Sequence, residues 1–183
     1  MTTRRGLMLG RFQPFHNGHL ALAKQILREC DELVIVIGSA QFNYIDRDPF
    51  TAGERISMIH GALSEGGVDL SRCYIVPIAN DDNNARWLAY LRSMIPPFQV
   101  LYSGNDFVKH LAHSQDARIR VRRPDFLKKN LHNATKIRNL IATGKQWKHL
   151  VPPAVAKEIQ RINGVERIRL LASTGADSNP QRW

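Results

Sequence analysis

A doubly wound parallel α/β domain is the fold this sequence predicts, and three observations carry it. Gly6–Gly10 is a short apolar run, Asn17–Glu29 repeats Leu20, Ala23, Ile26 and Leu27 at helical spacing, and Leu33–Ile37 is a second strand, so the chain opens on a βαβ unit. The run Leu33-Val34-Ile35-Val36-Ile37 is aliphatic on both faces, the mark of a strand covered on both sides in a parallel sheet. The alternation of strand and helix then continues for most of the chain.

The later elements follow from local signals. Thr51-Ala52-Gly53-Glu54 has the capping-box pattern and opens a helix through Leu63, which Gly66-Gly67 closes. Cys73–Ile78 reads as a strand, Ala85–Met94 as a helix stopped by Pro96-Pro97, and Phe98–Tyr102 as a strand. Asp106–His113 reads as a helix, Ile119–Val121 as a short edge strand, and Thr135–Ala142 as a helix ended by Gly144. A last helix is expected from Pro152-Pro153, because proline suits the first helical turn. Residues 1–172 are expected to form one domain, and the polar stretch 173–183 a flexible tail.

Composition narrows the class. With 183 residues, 43% hydrophobic and 8% aromatic, a disordered chain is excluded and a real core is expected. The longest aliphatic run, Leu33–Ile37, is far short of the ~20 residues that cross a bilayer, and no charged-then-apolar leader precedes the first strand. The expectation is therefore a cytoplasmic protein with no membrane partner. Cys30 and Cys73 share no metal-ligand spacing and read as two reduced thiols. The formal net charge is +10, and the segment Arg118–Arg138 holds eight basic residues against Asp125 alone. Such a patch implies an anionic partner or a solvated face; nucleic acid, nucleotide phosphates and a subunit interface all stay open on charge alone.

In doubly wound sheets ligands bind beyond the carboxyl ends of the strands. After the first strand comes Gly10-Arg11-Phe12-Gln13-Pro14-Phe15-His16-Asn17-Gly18-His19. His16 and His19 share one face of a first helical turn, where free N–H groups and the helix dipole favour anions. Gly10 would let the chain turn off the strand, Gly18 would let a phosphate approach the backbone, and Arg11 offers a planar fork to phosphate oxygens. Taken alone, the pair is equally a capped, partly buried helix start. No third ligand completes a zinc pattern, and the glycine-rich dinucleotide fingerprint is absent.

The string His16-Asn17-Gly18-His19 matches the HxGH signature of a nucleotidyltransferase superfamily distantly related to class I aminoacyl-tRNA synthetases. Together with Asp48-Pro49-Phe50-Thr51-Ala52-Gly53-Glu54-Arg55 after the second strand, the chain from Gly6 to about Leu171 resembles the archaeal-type nicotinamide mononucleotide (NMN) adenylyltransferases.

That resemblance implies a Rossmann-like fold and the reaction of ATP with NMN to give NAD and pyrophosphate. It implies His16, His19, Arg11, Arg47 and Arg138 as the phosphate-handling catalytic set. It places ATP against Gly10, Phe12, Gln13, Gly18, Ser103, Gly104, Asn105, Asn133 and Thr135. NMN falls to Ser39, Asn80, Asn84 and Trp87, with Trp87 stacking on the pyridinium ring. Asn133-Ala134-Thr135-Lys136-Ile137-Arg138 occupies the place of the superfamily's second signature, Ser-x-Thr-x-x-Arg, with Asn133 for the serine and Lys136 for a commonly acidic residue. Asn80 stands where the family carries an aspartate, with Asp81 one residue on. The resemblance also implies Mg²⁺ bridging the ATP phosphates, no protein-held metal, no nucleic-acid partner, and a homo-oligomer, with a hexamer as the expected assembly. The alternatives are a sister enzyme acting on phosphopantetheine, a flavin mononucleotide or a CTP-linked alcohol, and a basic nucleic-acid-binding module.

Overall fold

A computed structural model describes residues 3–125 and 133–175. Strands β1 (Arg5–Gly10), β2 (Glu32–Ile37), β3 (Cys73–Pro77), β4 (Val100–Tyr102) and β5 (Arg120–Arg122) form one sheet in the order β3-β2-β1-β4-β5, every neighbouring pair parallel. Helices α1 (Asn17–Glu29), α2 (Ala52–Glu65), α3 (Trp87–Met94) and α4 (Asp106–Gln115) connect the strands, and α5 (Ala134–Ala142), α6 (Pro153–Arg161) and α7 (Gly164–Thr174) follow β5.

The period of two in the central strands sorts side chains to the two faces. Met8, Leu33, Ile35 and Ile37 join Ile26, Phe50, Ile59, Ile141 and Ile159 in the larger core, under α1, α2 and the C-terminal helices. Leu7, Val34, Val36 and Leu101 join Leu88, Leu91 and Ile119 in the smaller one, under α3 and α4. After β3 the chain returns past β1 to lay down β4, so the strand order reverses beside β1, and a crevice opens beyond its carboxyl end.

Three expectations from the sequence are corrected. The single C-terminal helix is two, α6 and α7, because Asn163 takes left-handed backbone (φ 54°) and breaks the run. Gly164 then packs so closely that a Cβ would stand 2.9 Å from both the Ile159 carbonyl and the Phe50 ring. The helix after β3 begins at Trp87, with Asn84–Arg86 forming a 3₁₀ turn. Ser173 and Thr174, assigned to the tail, close the last turn of α7; residues 176–183 lie outside the described residues, as do Lys128 and Lys129. Among the described residues no helix is long and apolar enough to cross a membrane.

Candidate active site

The end of β1 delivers the chain directly into the crevice. Here it is Phe12, not Gly10, that takes the left-handed backbone (φ 52°). A Cβ on Gly10 would come 3.0 Å from the Phe12 ring, so a larger residue there would press on that ring. The Phe12 ring turns into the core beside Phe15 and gives His19 an apolar bed. Phe12 meets the His19 ring edge-on at 4.8 Å, and Phe15 lies 5.3 Å from it. His16, buried at the N-cap of α1, stacks on His19 with centroids 3.5 Å apart and planes 14° from parallel. Its backbone N–H donates to His19 Nδ1 at 3.2 Å. An accepting Nδ1 leaves the His19 proton on Nε2. Gly18 sits between the two in the same turn.

The Gln13 side chain is committed to the scaffold: its Nε2 donates to the Phe50 carbonyl and its Oε1 accepts the Phe50 N–H, both at 2.9 Å. What Gln13 offers to the site is backbone, and its carbonyl accepts from Arg138 Nη1 at 2.9 Å. Arg138 comes from the first turns of α5, whose N-cap is Asn133, accepting the Thr135 N–H at 2.8 Å. The other Arg138 edge lies 3.4 Å from Thr135 Oγ1. The second signature is thereby brought against the first, across 125 residues of chain.

Two residues of the motif after β2 shape the site in ways their sequence positions do not advertise. Asp48 has 1% of its side chain exposed, and Arg11 Nη1 lies 3.4 Å from both of its oxygens, with Arg47 Nε at 3.5 Å. Arg55, fully buried in α2, donates to the carbonyls of Arg11, Gly38 and Ser39 at 3.0–3.2 Å. It thus ties the ends of β1 and β2 together from beneath. Burial lowers the pKa of both Arg55 and Arg138, and the like charge of Arg11 adds to the shift in each. Arginine stays charged regardless; the shifts register positive charge held close together with less solvation than it would have in water. An anion entering this crevice relieves that repulsion.

Two cavities flank β1, and Leu9 lines both. The first, of about 390 Å³, is bordered by Gly10, Arg11, Ser39, Asn80, Asn84 and Trp87. Asn80 Oδ1 accepts the Ser39 N–H (3.1 Å) and hydroxyl (3.2 Å), which closes its floor. Gln115 of α4 receives the Leu88 N–H and donates to the Asn84 carbonyl, each at 2.8 Å, and so fixes the start of α3 and with it the half-buried Trp87. The second cavity, of about 580 Å³, is bordered by Ser103, Gly104 and Asn105 after β4. There Asn105 Oδ1 caps α4 through the Phe107 N–H (3.0 Å), and Ser103 Oγ accepts the Asn105 N–H (3.1 Å). Of the predicted residues, Gly10, Arg11, Ser39, Asn80, Asn84 and Trp87 border the first cavity, Ser103, Gly104 and Asn105 the second, and Arg11, Arg47 and Arg138 the basic cluster. His16, Gly18 and His19 stand at the start of α1, Asn133 and Thr135 at the start of α5, and the Phe12 and Gln13 side chains belong to the scaffold. Among the described residues no group of three His, Cys, Asp or Glu side chains converges as a metal cage.

The cytidylyltransferase-like family profile matches residues 7–140. Over 180 residues the chain is 48% identical to the nicotinamide-nucleotide adenylyltransferase of Caldivirga maquilingensis, covering 98% of this chain and 99% of that one. It is 47% identical over 181 residues to the protein of the same name from Pyrobaculum aerophilum, with the same coverage. Among solved structures, a bifunctional NMN adenylyltransferase/ADP ribose pyrophosphatase from Francisella tularensis superposes with a TM-score of 0.81 at 21% identity, a likeness of fold. It covers 95% of this chain and 54% of that one, so the chain spans about half of the bifunctional protein. The Plasmodium falciparum nicotinic acid mononucleotide adenylyltransferase, solved with APC, superposes at 0.63 with 13% identity, covering 90% of this chain. With two pockets flanking a basic cluster at the end of β1, a family profile over most of its length and near-full-length relatives at almost half identity, the chain belongs to the cytidylyltransferase-like nucleotidyltransferases and, within them, to the archaeal-type nicotinamide-nucleotide adenylyltransferases.

Proposed function

We propose that the chain makes NAD and pyrophosphate from ATP and NMN, with the mononucleotide in the cavity beside Trp87 and the adenosine in the cavity beside Ser103–Asn105. The observation that carries this reading is the arrangement of two nucleotide-sized pockets sharing Leu9, with the histidine pair and four arginines at the end of the strand between them. Two phosphorylated substrates lying in those pockets would meet phosphate to phosphate.

The chemistry asks little of acid–base groups. The NMN phosphate has a second pKa near ~6, so it is already a nucleophile at neutral pH. One of its oxygens attacks the ATP α-phosphorus, the bond from that phosphorus to the bridging oxygen breaks, and pyrophosphate leaves with the electron pair. The protein's task is to hold the attack in line and stabilise the charge that spreads over the phosphoryl oxygens. His19 Nε2–H is assigned to the α-phosphate and His16 to the triphosphate beside it. Arg11, Arg47 and Arg138 neutralise the phosphate charge. The backbone of Gly10, Phe12, Gln13 and Gly18 follows the triphosphate, and the β- and γ-phosphates lie against Asn133 and Thr135 at the start of α5. Ser39, Asn80 and Asn84 border the ribose and carboxamide, and the Trp87 indole faces the cationic ring, an attraction worth roughly 0.5–2 kcal/mol.

The donor set around the phosphates is basic, and among the described residues no carboxylate cage for a divalent cation stands beside it. Mg²⁺ belongs to this reading as part of the ATP substrate, its ligands being phosphate oxygens and water. The resemblance further supports a cytoplasmic homo-oligomer, a hexamer, which mass photometry would size directly.

The test is a coupled assay in which alcohol dehydrogenase reports NAD formed from ATP, Mg²⁺ and NMN, with pyrophosphate release followed in parallel for the deamidated mononucleotide, whose product is the deamidated dinucleotide. NAD formation from NMN is the expected result. Pyrophosphate release with phosphopantetheine, a flavin mononucleotide or a CTP-linked alcohol, and none with NMN, would overturn the reading.

A further inference from the structure

A buried carboxylate at the centre of a phosphate site looks out of place, since it repels the ligand the site is built to take. Asp48 is that carboxylate. Its backbone is pinned to Ile45, with its N–H on the Ile45 carbonyl at 3.0 Å and its carbonyl facing the Ile45 N–H at 3.5 Å. Its side chain is shut away from water, yet the two arginines it faces are about half exposed. Their contacts are long: 3.4 Å from Arg11 Nη1 to each oxygen and 3.5 Å from Arg47 Nε. A committed, charge-assisted pair closes to about 2.7–2.9 Å, as Arg167 and Glu54 do here at 2.7 and 2.9 Å. The other charges that act on the same point are Arg55 and Arg138, both buried, with Asp46 nearby.

We propose that Asp48 is a positioning residue, an internal counter-anion that stands in for phosphate in the empty site. It lets four arginines converge without a ligand, and it keeps Arg11 and Arg47 aimed into the crevice by contacts loose enough to surrender. When a polyphosphate enters, both guanidiniums transfer to it, and the residual charge of Asp48 keeps the bound polyanion from being held too tightly. The inference rests on the phosphate site of the proposed reaction, but its central measurement does not need that reaction to occur.

Asp48→Asn keeps the side chain's shape and removes its charge. Inorganic tripolyphosphate is the probe, titrated against wild type and variant by calorimetry. The variant is expected to bind it roughly three- to tenfold more tightly, because one repulsive charge near the ligand is gone. In the NAD-forming assay, kcat is expected to fall about tenfold with no rise in the KM for ATP, since the arginines are no longer held in register. A purely structural role would lower the folded fraction while leaving anion affinity per folded molecule unchanged. Wild-type or weaker tripolyphosphate affinity in the folded variant would overturn the proposal. Should the variant fail to fold, the wild-type chain decides: tripolyphosphate must move the Nε–H resonances of Arg11 and Arg47 together with the Asp48 carboxyl carbon, and a silent Asp48 carbon refutes the exchange. Absence of NAD formation alongside tightened tripolyphosphate binding would sink the reaction but not the role of Asp48.

Discussion

His19 shows how much of the site is settled by one side chain's surroundings. Its Nδ1 accepts the His16 N–H and its ring is packed against Phe12, Phe15 and His16, which fixes the direction of the Nε2–H edge. A donor held this rigidly loses no freedom when the α-phosphate acquires charge, which is the condition under which one hydrogen bond matters most. His19→Ala should remain folded, by circular dichroism, and lose ~10²-fold or more in kcat, the size of effect seen when a single preorganised donor is removed. Turnover within about threefold of wild type would show that the Nε2–H does not serve the reacting phosphate. The spacing of His16 and His19 was legible in the sequence because three residues on a helix share a face. The apolar bed was not, since it depends on Phe12 turning inward from a left-handed backbone. Nor were the buried positions of Asp48 and Arg55. In sequence Arg55 looks like any arginine on an amphipathic helix; the carbonyls that satisfy it come from Arg11, Gly38 and Ser39, which only the packed sheet brings together.

Between elements, α7 governs a loop that it does not adjoin in sequence. Arg167 forks onto both Glu54 oxygens at 2.7 and 2.9 Å, donates to the Pro49 carbonyl at 3.1 Å, and lies 4.3 Å from the centre of the Tyr44 ring. The segment from Tyr44 to Pro49, which carries Arg47 and Asp48, is therefore clasped at both ends by one guanidinium. Arg167→Met should cost about 2 kcal/mol, a fall in Tm of roughly 4–8 °C for a chain of this size. It should also raise the KM for ATP more than it lowers kcat, because the loosened segment carries Arg47, proposed as a phosphate ligand, and not His19, proposed to meet the reacting phosphate. Burial alone would raise the Glu54 pKa, but the Arg167 guanidinium and the Thr51 N–H outweigh it, and the net shift is below the ordinary 4.5. A depressed carboxyl stabilises the fold above its unfolded pKa and loses that contribution as pH falls through the lower folded value. The Tm of the wild type should therefore drop more steeply than that of Glu54→Gln below about pH 4.5; parallel curves would show that the clasp contributes nothing to acid stability. The alternation of elements could be read from periodicity, but the break between α6 and α7 could not. It comes from the left-handed Asn163 and the tight seat of Gly164 on Phe50, contacts made far along the chain.

At the scale of the whole molecule the net charge of +10 becomes a question of placement. Much of the basic excess is already answered locally: Arg122 meets Glu29, Arg123 meets Asp106, Arg86 meets Asp81, and Arg92 meets Asp116. Arg118 and Arg120 lie at the start of β5, at the opposite end of the strands from the crevice, and Arg118 is 95% exposed. In the crevice Arg11, Arg47, Arg55 and Arg138 share the buried carboxylate of Asp48 with Asp46 beside it, so among the described residues positive charge is in excess at the proposed phosphate site. The sequence located the basic stretch but not this division, because which arginine is matched by which carboxylate is decided by packing. A local excess of this kind should act on encounter more than on chemistry. Raising NaCl from ~0.05 M to ~0.5 M contracts the screening length from roughly 14 Å to about 4 Å. The KM values for ATP and NMN should both rise about three- to tenfold, while kcat changes by less than about twofold, since the contacts of buried Arg138 are little screened. Arg118→Ser with Arg120→Ser separates the local from the global explanation. Removing two charges at the far end should leave the salt dependence of KM unchanged if the crevice charges carry the attraction. A dependence that weakens in proportion to the lost net charge would mean that the molecule draws its substrates as a uniformly positive body, and that the charges around Asp48 act only after binding.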